Sequence, residues 1–218
     1  MGNYYPLLIN LNKIKCLVIG GGEVALRKTL SLKEAGADIT VLSPQVISPF
    51  YSLVEKGEVK FIRRKYQRGD LKGFSLVYAA LDDVEADAEI AREAEEEGVF
   101  LNMTHNPERG NFIVPAQIRR GDLILSFSTN GKSPMLAKKI RRELEEKYGP
   151  EYEEFLLILG RERVWALKEV EEINKRKAYF EALVYSELPG LIKDGKRELV
   201  NQTINRIREK LSLKRGES

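Results

Sequence analysis

The 218-residue chain is poor in the side chains that usually carry metal or redox chemistry: it has one cysteine and one histidine. A single thiol cannot form an internal disulfide, and Cys16 falls in an apolar run where it reads as a small core residue. With His105 as the only imidazole there is no His/Cys cluster, so no metal site is expected. Charge of either sign is almost balanced. The 36 Lys and Arg against 33 Asp and Glu leave +3, too little to argue for a nucleic-acid partner. No apolar run approaches the length that spans a bilayer, and no basic-then-apolar leader opens the chain. No membrane association and a cytoplasmic location are therefore expected. Internal repeats and low-complexity segments are absent as well.

What is present begins at Lys15. The run Lys15–Ile19 is rich in strand formers and meets Gly20-Gly21-Gly22, and the helix-forming Glu23–Ala35 follows. Gly20, Gly22 and Ala25 occupy the marked places of G-x-G-x-x-A. The first glycine permits a tight turn, the second lets a pyrophosphate approach the backbone, and the alanine lets helix and strand pack closely. Helix N–H groups and the positive end of the helix dipole then point at the phosphates. Gly36 suits the helix stop, and Asp38–Leu42 alternates as a second strand. That is a β-α-β unit fit for a dinucleotide.

Further strands are expected at Glu58–Arg64, Phe74–Ala80 and Val99–Met103, with helices at Gln45–Lys56 and after Asp82-Asp83, which supply a cap. This alternation indicates an α/β, doubly wound parallel sheet of Rossmann type. After His105 the pattern changes. Phe112–Ala116 and Leu123–Ser128 read as two more strands joined through Arg119-Arg120-Gly121-Asp122. Ser133 and Pro134 open a helix that runs to Tyr148. From Glu151 the spacing is helical only, with Phe155, Leu159, Val164, Leu167 and Val170 as one stripe and Val200, Ile204, Ile207 and Leu211 as another. Leu188-Pro189-Gly190 reads as a break between helices, and Lys214–Ser218 as a frayed end.

Several constellations bear on chemistry. Gly131-Lys132-Ser133 resembles the end of a P-loop, but the first glycine would fall at Ser126, so that motif fails. The helix start could still hold an anion, with Ser128, Thr129 and Lys132 nearby; a merely well-capped helix reads equally well. A conventional NAD site places an acid at the end of the second strand. Here Leu42-Ser43-Pro44 stands there, leaving the ribose to Ser43, Gln45 or backbone and weakening any inference of strict NAD over NADP selectivity. His105 follows the fifth strand, where open α/β sheets bind ligands, so it reads as a proton acceptor or as an ordinary loop residue. Arg119, Arg120, Lys132, Lys138, Lys139, Arg141 and Arg142 form a basic run suited to a polycarboxylate ligand or to a solvated face.

Together these segments resemble the siroheme synthase N-terminal family. The resemblance is carried by Val18–Ala25 with Arg27-Lys28, by Ala79–Asp83, by Asn111-Phe112-Ile113-Val114-Pro115-Ala116 and by Ser128–Pro134. It covers roughly residues 4 to 148. It implies a NAD-binding Rossmann domain (1–111), a small α+β dimerisation segment (112–148) and a C-terminal helical domain (149–218). It also implies NAD-dependent oxidation of precorrin-2, an anionic tetrapyrrole, to sirohydrochlorin by a homodimer. Cofactor contacts are then expected at Gly20, Gly22, Glu23, Val24, Ala25, Ser43, Pro44, Gln45, Ala80 and Asp82. Substrate contacts are expected at Asn102, Asn111, Ser128, Thr129 and Lys132, and the catalytic position is His105. Two departures stand out: Leu81 replaces a frequent Thr, and His105 stands where bifunctional members carry Asp. The alternatives are a bifunctional dehydrogenase and ferrochelatase, and a NAD-sensing module without chemistry.

Overall fold

A computed structural model describes residues 4–211; the expected fraying of Lys214–Ser218 lies outside them. The chain divides into two compact units, Met1–Val114 and Pro115–Ser218. The first contains β1 (Lys15–Ile19), α1 (Glu23–Glu34), β2 (Asp38–Leu42), α2 (Pro49–Glu55), β3 (Lys60–Ile62), β4 (Leu76–Ala79), α3 (Val84–Glu97) and β5 (Phe100–Met103). All five strands are parallel, in the order β3-β2-β1-β4-β5. This is the doubly wound, Rossmann-type sheet. Its strands read as nearly continuous apolar runs because both faces are covered. Cys16, Val18, Ile39, Val41 and Tyr78 pack on the α1 side. Leu17, Ile19, Val77, Leu101 and Met103 pack with Ile90 and Ala94 of α3.

The α3 signals hold in detail. Asp83 accepts from the N–H groups of Glu85 and Ala86, and Gly98 takes the left-handed conformation that ends the helix. The helix expected over Gln45–Lys56 is shorter. Pro49 starts it, because the preceding residues are held elsewhere: Ile47 N–H donates to the carbonyl of Gly21 at 2.9 Å. In α1 the buried stripe is Ala25, Thr29 and Leu32, while Leu30 points outward.

The second unit opens with a hairpin, β6 (Ala116–Arg120) and β7 (Leu123–Phe127). Phe112–Pro115 is not a strand. Arg119 and Arg120 belong to β6, and the turn is the two residues Gly121-Asp122, with Gly121 at φ +55°. The period-2 pattern is weak on both sides of Ala116, so turn geometry decides the register. Helices α4 (Pro134–Lys147), α5 (Glu151–Glu169), α6 (Ile173–Val184), α7 (Leu188–Lys193) and α8 (Arg197–Lys210) follow. Leu188-Pro189-Gly190 is thus not a break but the first turn of α7, where proline fits. The core of α5 is Phe155, Ile158, Ala166 and Val170; Val164 and Leu167 are 69% and 52% exposed, out of phase with the expected stripe. The difference has a polar cause. Glu162 of α5 is paired with Arg208 of α8 and accepts from the Tyr179 hydroxyl, while the Arg208 guanidinium stacks 3.8 Å over Trp165. A buried ion pair takes the inward position that periodicity assigns to an apolar residue. Among the described residues no helix is long and apolar enough to cross a membrane.

Candidate functional site

Three consecutive glycines do three different things. Gly20 leaves β1 at φ +127°, and a Cβ there would lie 2.3 Å from the carbonyl oxygen of Ala80. That carbonyl belongs to the residue after β4, so Gly20 lets β1 and β4 stay paired to their ends. A Cβ on Gly21 would lie 2.0 Å from the carbonyl oxygen of Gln45. Gly22 is different. Its φ of −89° suits any residue, and a Cβ there would meet nothing within 4 Å. Gly22 caps α1 without a side-chain cap, so the first N–H groups of the helix have no side-chain acceptor. An open space above unpaired helix donors, at the point where the strand order reverses between β1 and β4, is a cradle for a pyrophosphate. Ala25, almost fully buried, sits in the α1-side core as the third marked position requires. Glu23 and Val24 complete the first turn of α1.

The end of β2 is braced against this loop. The Ser43 hydroxyl donates to the carbonyl of Gln45 at 2.6 Å, and Ser43 N–H donates to the carbonyl of Ile62 at 3.2 Å. Ser43, Pro44 and Gln45 therefore form a fixed rim beside Gly21, with no carboxylate on it. Ala80 N–H donates to the carbonyl of Ile19, and Asp82 is exposed on the loop that leads into α3. The ten expected cofactor positions thus lie on the glycine loop, in the first turn of α1, or on the loops that follow β2 and β4.

The loop after β5 carries His105, which is exposed. Its neighbour Asn106 donates from Nδ2 to the buried carboxylate of Asp87 at 3.0 Å, fixing the loop to α3. Asn102 is buried and donates to the carbonyl of Phe112 at 3.0 Å, and none of the described residues donates to its Oδ1. Asn111 is exposed and makes one hydrogen bond at each end of its amide: Oδ1 accepts from Leu101 N–H and Nδ2 donates to the Val99 carbonyl, each at 2.8 Å. These two bonds clamp the chain around β5, and the exposed amide keeps a second N–H and a second lone pair. Composition alone could not separate a clamp from a ligand contact, since both use the same amide.

Two residues escaped the sequence reading. The Thr104 hydroxyl is buried without a hydrogen-bond partner among the described residues. Thr104 lies one residue past β5, and its N–H continues the ladder to the carbonyl of Ala79. Lys28 of α1 lies half-buried with its Nζ 5.1 Å from the centre of the Tyr78 ring. Burial, and secondarily Arg27, lowers its pKa. A lone Thr or a helical Lys gives no sequence signal of this kind.

In the second unit Ser128, Thr129 and Lys132 surround the start of α4. The Ser133 hydroxyl accepts from Leu136 N–H at 3.2 Å, and the Thr129 hydroxyl bonds the backbone of Ser133. Asn130 and Gly131 are both left-handed, folding the loop back on the helix, and Lys132 is exposed. Among the described residues no group of three His, Cys, Asp or Glu side chains is arranged to hold a metal ion.

An NAD(P)-binding family model matches residues 7–116, half of the chain, and the model of the central part of sirohaem biosynthesis proteins matches residues 120–147. The chain belongs to this NAD(P)-binding family. Among its relatives is the siroheme synthase of Photobacterium profundum, 31% identical over 206 residues, which are 92% of this chain and 44% of that protein. The siroheme synthase of Pseudomonas paraeruginosa is 34% identical over 194 residues, 89% of this chain and 42% of that protein. The chain thus spans less than half the length of these relatives. The solved structure of SirC, a precorrin-2 dehydrogenase, superposes with a TM-score of 0.79 at 25% identity, covering 94% of this chain and 100% of that one. The NAD(P)-binding model spans the glycine loop and the loops that follow β2 and β4.

Proposed function

We propose that the protein is a cytoplasmic precorrin-2 dehydrogenase that oxidises precorrin-2 to sirohydrochlorin. The observation that carries this reading is the open cradle at Gly22 in a chain similar to SirC over all of SirC's length. NAD bound there would accept the hydride that the macrocycle loses. The other product of the oxidation is a proton, and His105, exposed at the carboxyl end of β5, is the side chain positioned to take it; water is the competing acceptor. The rest of the rate comes from holding the two reactants together, which needs binding groups rather than a reactive one.

The proposed cofactor contacts are Gly20, Gly22, Glu23, Val24, Ala25, Ser43, Pro44, Gln45, Ala80 and Asp82. For the substrate we propose Asn102, Asn111, Ser128, Thr129 and Lys132, and we add the buried Thr104 hydroxyl. Lys132 and the α4 N-terminus suit the acetate and propionate groups of the tetrapyrrole. Functionally the chain divides into a nucleotide-binding part (1–111), a dimerisation segment (112–148) and a helical part (149–218). We further propose that it works as a homodimer.

Spectrophotometry of NADH formation from precorrin-2 and NAD tests the activity, followed by Co2+ insertion into sirohydrochlorin against a no-enzyme control. NADH forms and His105→Ala slows it less than about tenfold, since water replaces a proton acceptor in part. Insertion stays near the control rate, because an imidazole, unlike a carboxylate, offers no negative charge to help a cation displace pyrrole protons. Absence of NADH formation despite NAD binding would favour a sensing module. Rapid insertion, lost in His105→Ala, would make the enzyme bifunctional.

A further inference from the structure

The rim of the nucleotide site where an acid is missing is not electrically empty. In the sheet β3 lies beside β2, with Leu42 opposite Ile62, so the residue after β3 emerges next to Ser43. That residue is Arg63. Its Nε lies 3.4 Å from the carbonyl oxygen of Pro44, directly across the β2 rim. Arg63 is exposed, and among the described residues no carboxylate pairs with it. Its neighbours differ. Arg64 is held by Asp70 through two bonds of 2.6 Å, and Arg68 is paired with Glu96. The Ser43 hydroxyl proton is already taken by the Gln45 carbonyl within the rim.

In dinucleotide folds the end of β2 meets the adenosine ribose. A carboxylate there accepts from the 2′-hydroxyl and repels a 2′-phosphate, whereas a guanidinium accommodates the phosphate. This rim has the guanidinium and lacks the carboxylate. We infer that Arg63 is a specificity-determining residue that binds the 2′-phosphate of NADP, so that the site takes NADP at least as readily as NAD. The inference rests on the nucleotide site of the proposed dehydrogenase, and it concerns which cofactor fills that site.

Calorimetric titration of the full chain with NAD, NADP, ADP and 2′,5′-ADP tests it. NADP and 2′,5′-ADP bind as tightly as NAD and ADP, or more tightly. Arg63→Ala weakens NADP and 2′,5′-ADP by about tenfold or more and leaves NAD and ADP within about twofold, since one charge-assisted contact to phosphate is removed. Arg63→Lys recovers part of the NADP affinity, and raising the salt narrows the NADP advantage. Wild-type preference for NAD by tenfold or more overturns the inference while leaving the dehydrogenase reading intact. So does an equal loss for both nucleotides in Arg63→Ala. Failure of all four ligands to bind overturns the inference and the dehydrogenase reading together.

Discussion

At the scale of single residues, the glycine loop separates folding from function. A Cβ at Gly20 or Gly21 would run into backbone oxygen, which cannot step aside, so substitutions there act on the fold. Gly22 has an ordinary φ and open space, so a side chain there leaves the fold alone and fills the phosphate position instead. We predict that Gly22→Asp keeps the circular-dichroism spectrum and Tm of the wild type but weakens NAD binding about a hundredfold or more, through volume and like-charge repulsion. Wild-type affinity in a folded Gly22→Asp variant would remove the pyrophosphate from this loop. Gly20, Gly22 and Ala25 were readable because the motif encodes local geometry. Gly21 was not, because its reason is a contact with Gln45, far along the chain. The Asn111 clamp and the buried Thr104 hydroxyl were not readable for the same reason: whether an amide or hydroxyl is engaged depends on neighbours that spacing does not name.

At the scale of elements, the strands and α3 followed their apolar runs and caps closely, while connections followed polar pairing. The stretch from Tyr66 to Gly73 shows why. Glu93 of α3 is buried, accepts from the Tyr66 hydroxyl and from Leu71 N–H at 2.8 Å, and so pins an irregular segment over α3. Burial, reinforced by the bond to Glu93, raises the Tyr66 pKa, so the phenol stays a donor. Asp70 secures the other side. It accepts from both Arg64 terminal nitrogens and from Gln67 N–H at 2.8 Å. The Arg64 bond holds its pKa below the usual carboxylate range against the opposing effect of burial. A depressed folded pKa means the contribution is complete above the unfolded value, about 3.9, and disappears as pH falls through the folded value. Asp70→Asn should therefore lower the Tm by about 2–4 °C at pH 7. That difference should shrink as the pH falls through the lowered folded value, where the wild-type carboxyl becomes protonated too. A pH-independent difference in thermal scans would mean that shape, not charge, holds the connection. The same variant should weaken NADP binding modestly, because Arg64 anchors the strand end that carries Arg63. None of these long-range pairs is visible as a spacing in the sequence, whereas the cap at Asp83 is, because its partners lie two and three residues away.

At the scale of the whole molecule, the change of pattern after His105 marked where parallel alternation stops, and the units meet in sequence at Val114 and Pro115. What the sequence could not supply was how the new elements are covered, since a stripe of apolar residues does not say which surface it faces. In α4 the stripe Leu136, Ile140 and Leu144 leads to no fully buried side chain; Leu136 is 47% exposed and Met135 74%. The β6–β7 hairpin has only two strands, so each presents an unpaired edge, and Ile118 is its sole fully buried apolar side chain. A two-stranded ribbon is marginal by itself, and unpaired edges are templates for another chain. A second copy offers the same hairpin and the same helix, and a two-fold arrangement satisfies both with one self-complementary patch. We therefore predict a dimer in sedimentation velocity at micromolar concentration. Met135→Glu with Leu136→Glu should give a monomer, because two carboxylates would have to be desolvated in each half of the interface. The glycine loop lies wholly in the first unit, so this variant should bind NAD within about threefold of the wild type. Loss of precorrin-2 oxidation with NAD binding intact would then assign the dimer to the tetrapyrrole step. A wild-type monomer at full activity would instead leave the apolar residues of α4 and the hairpin edges without the partner that their exposure calls for.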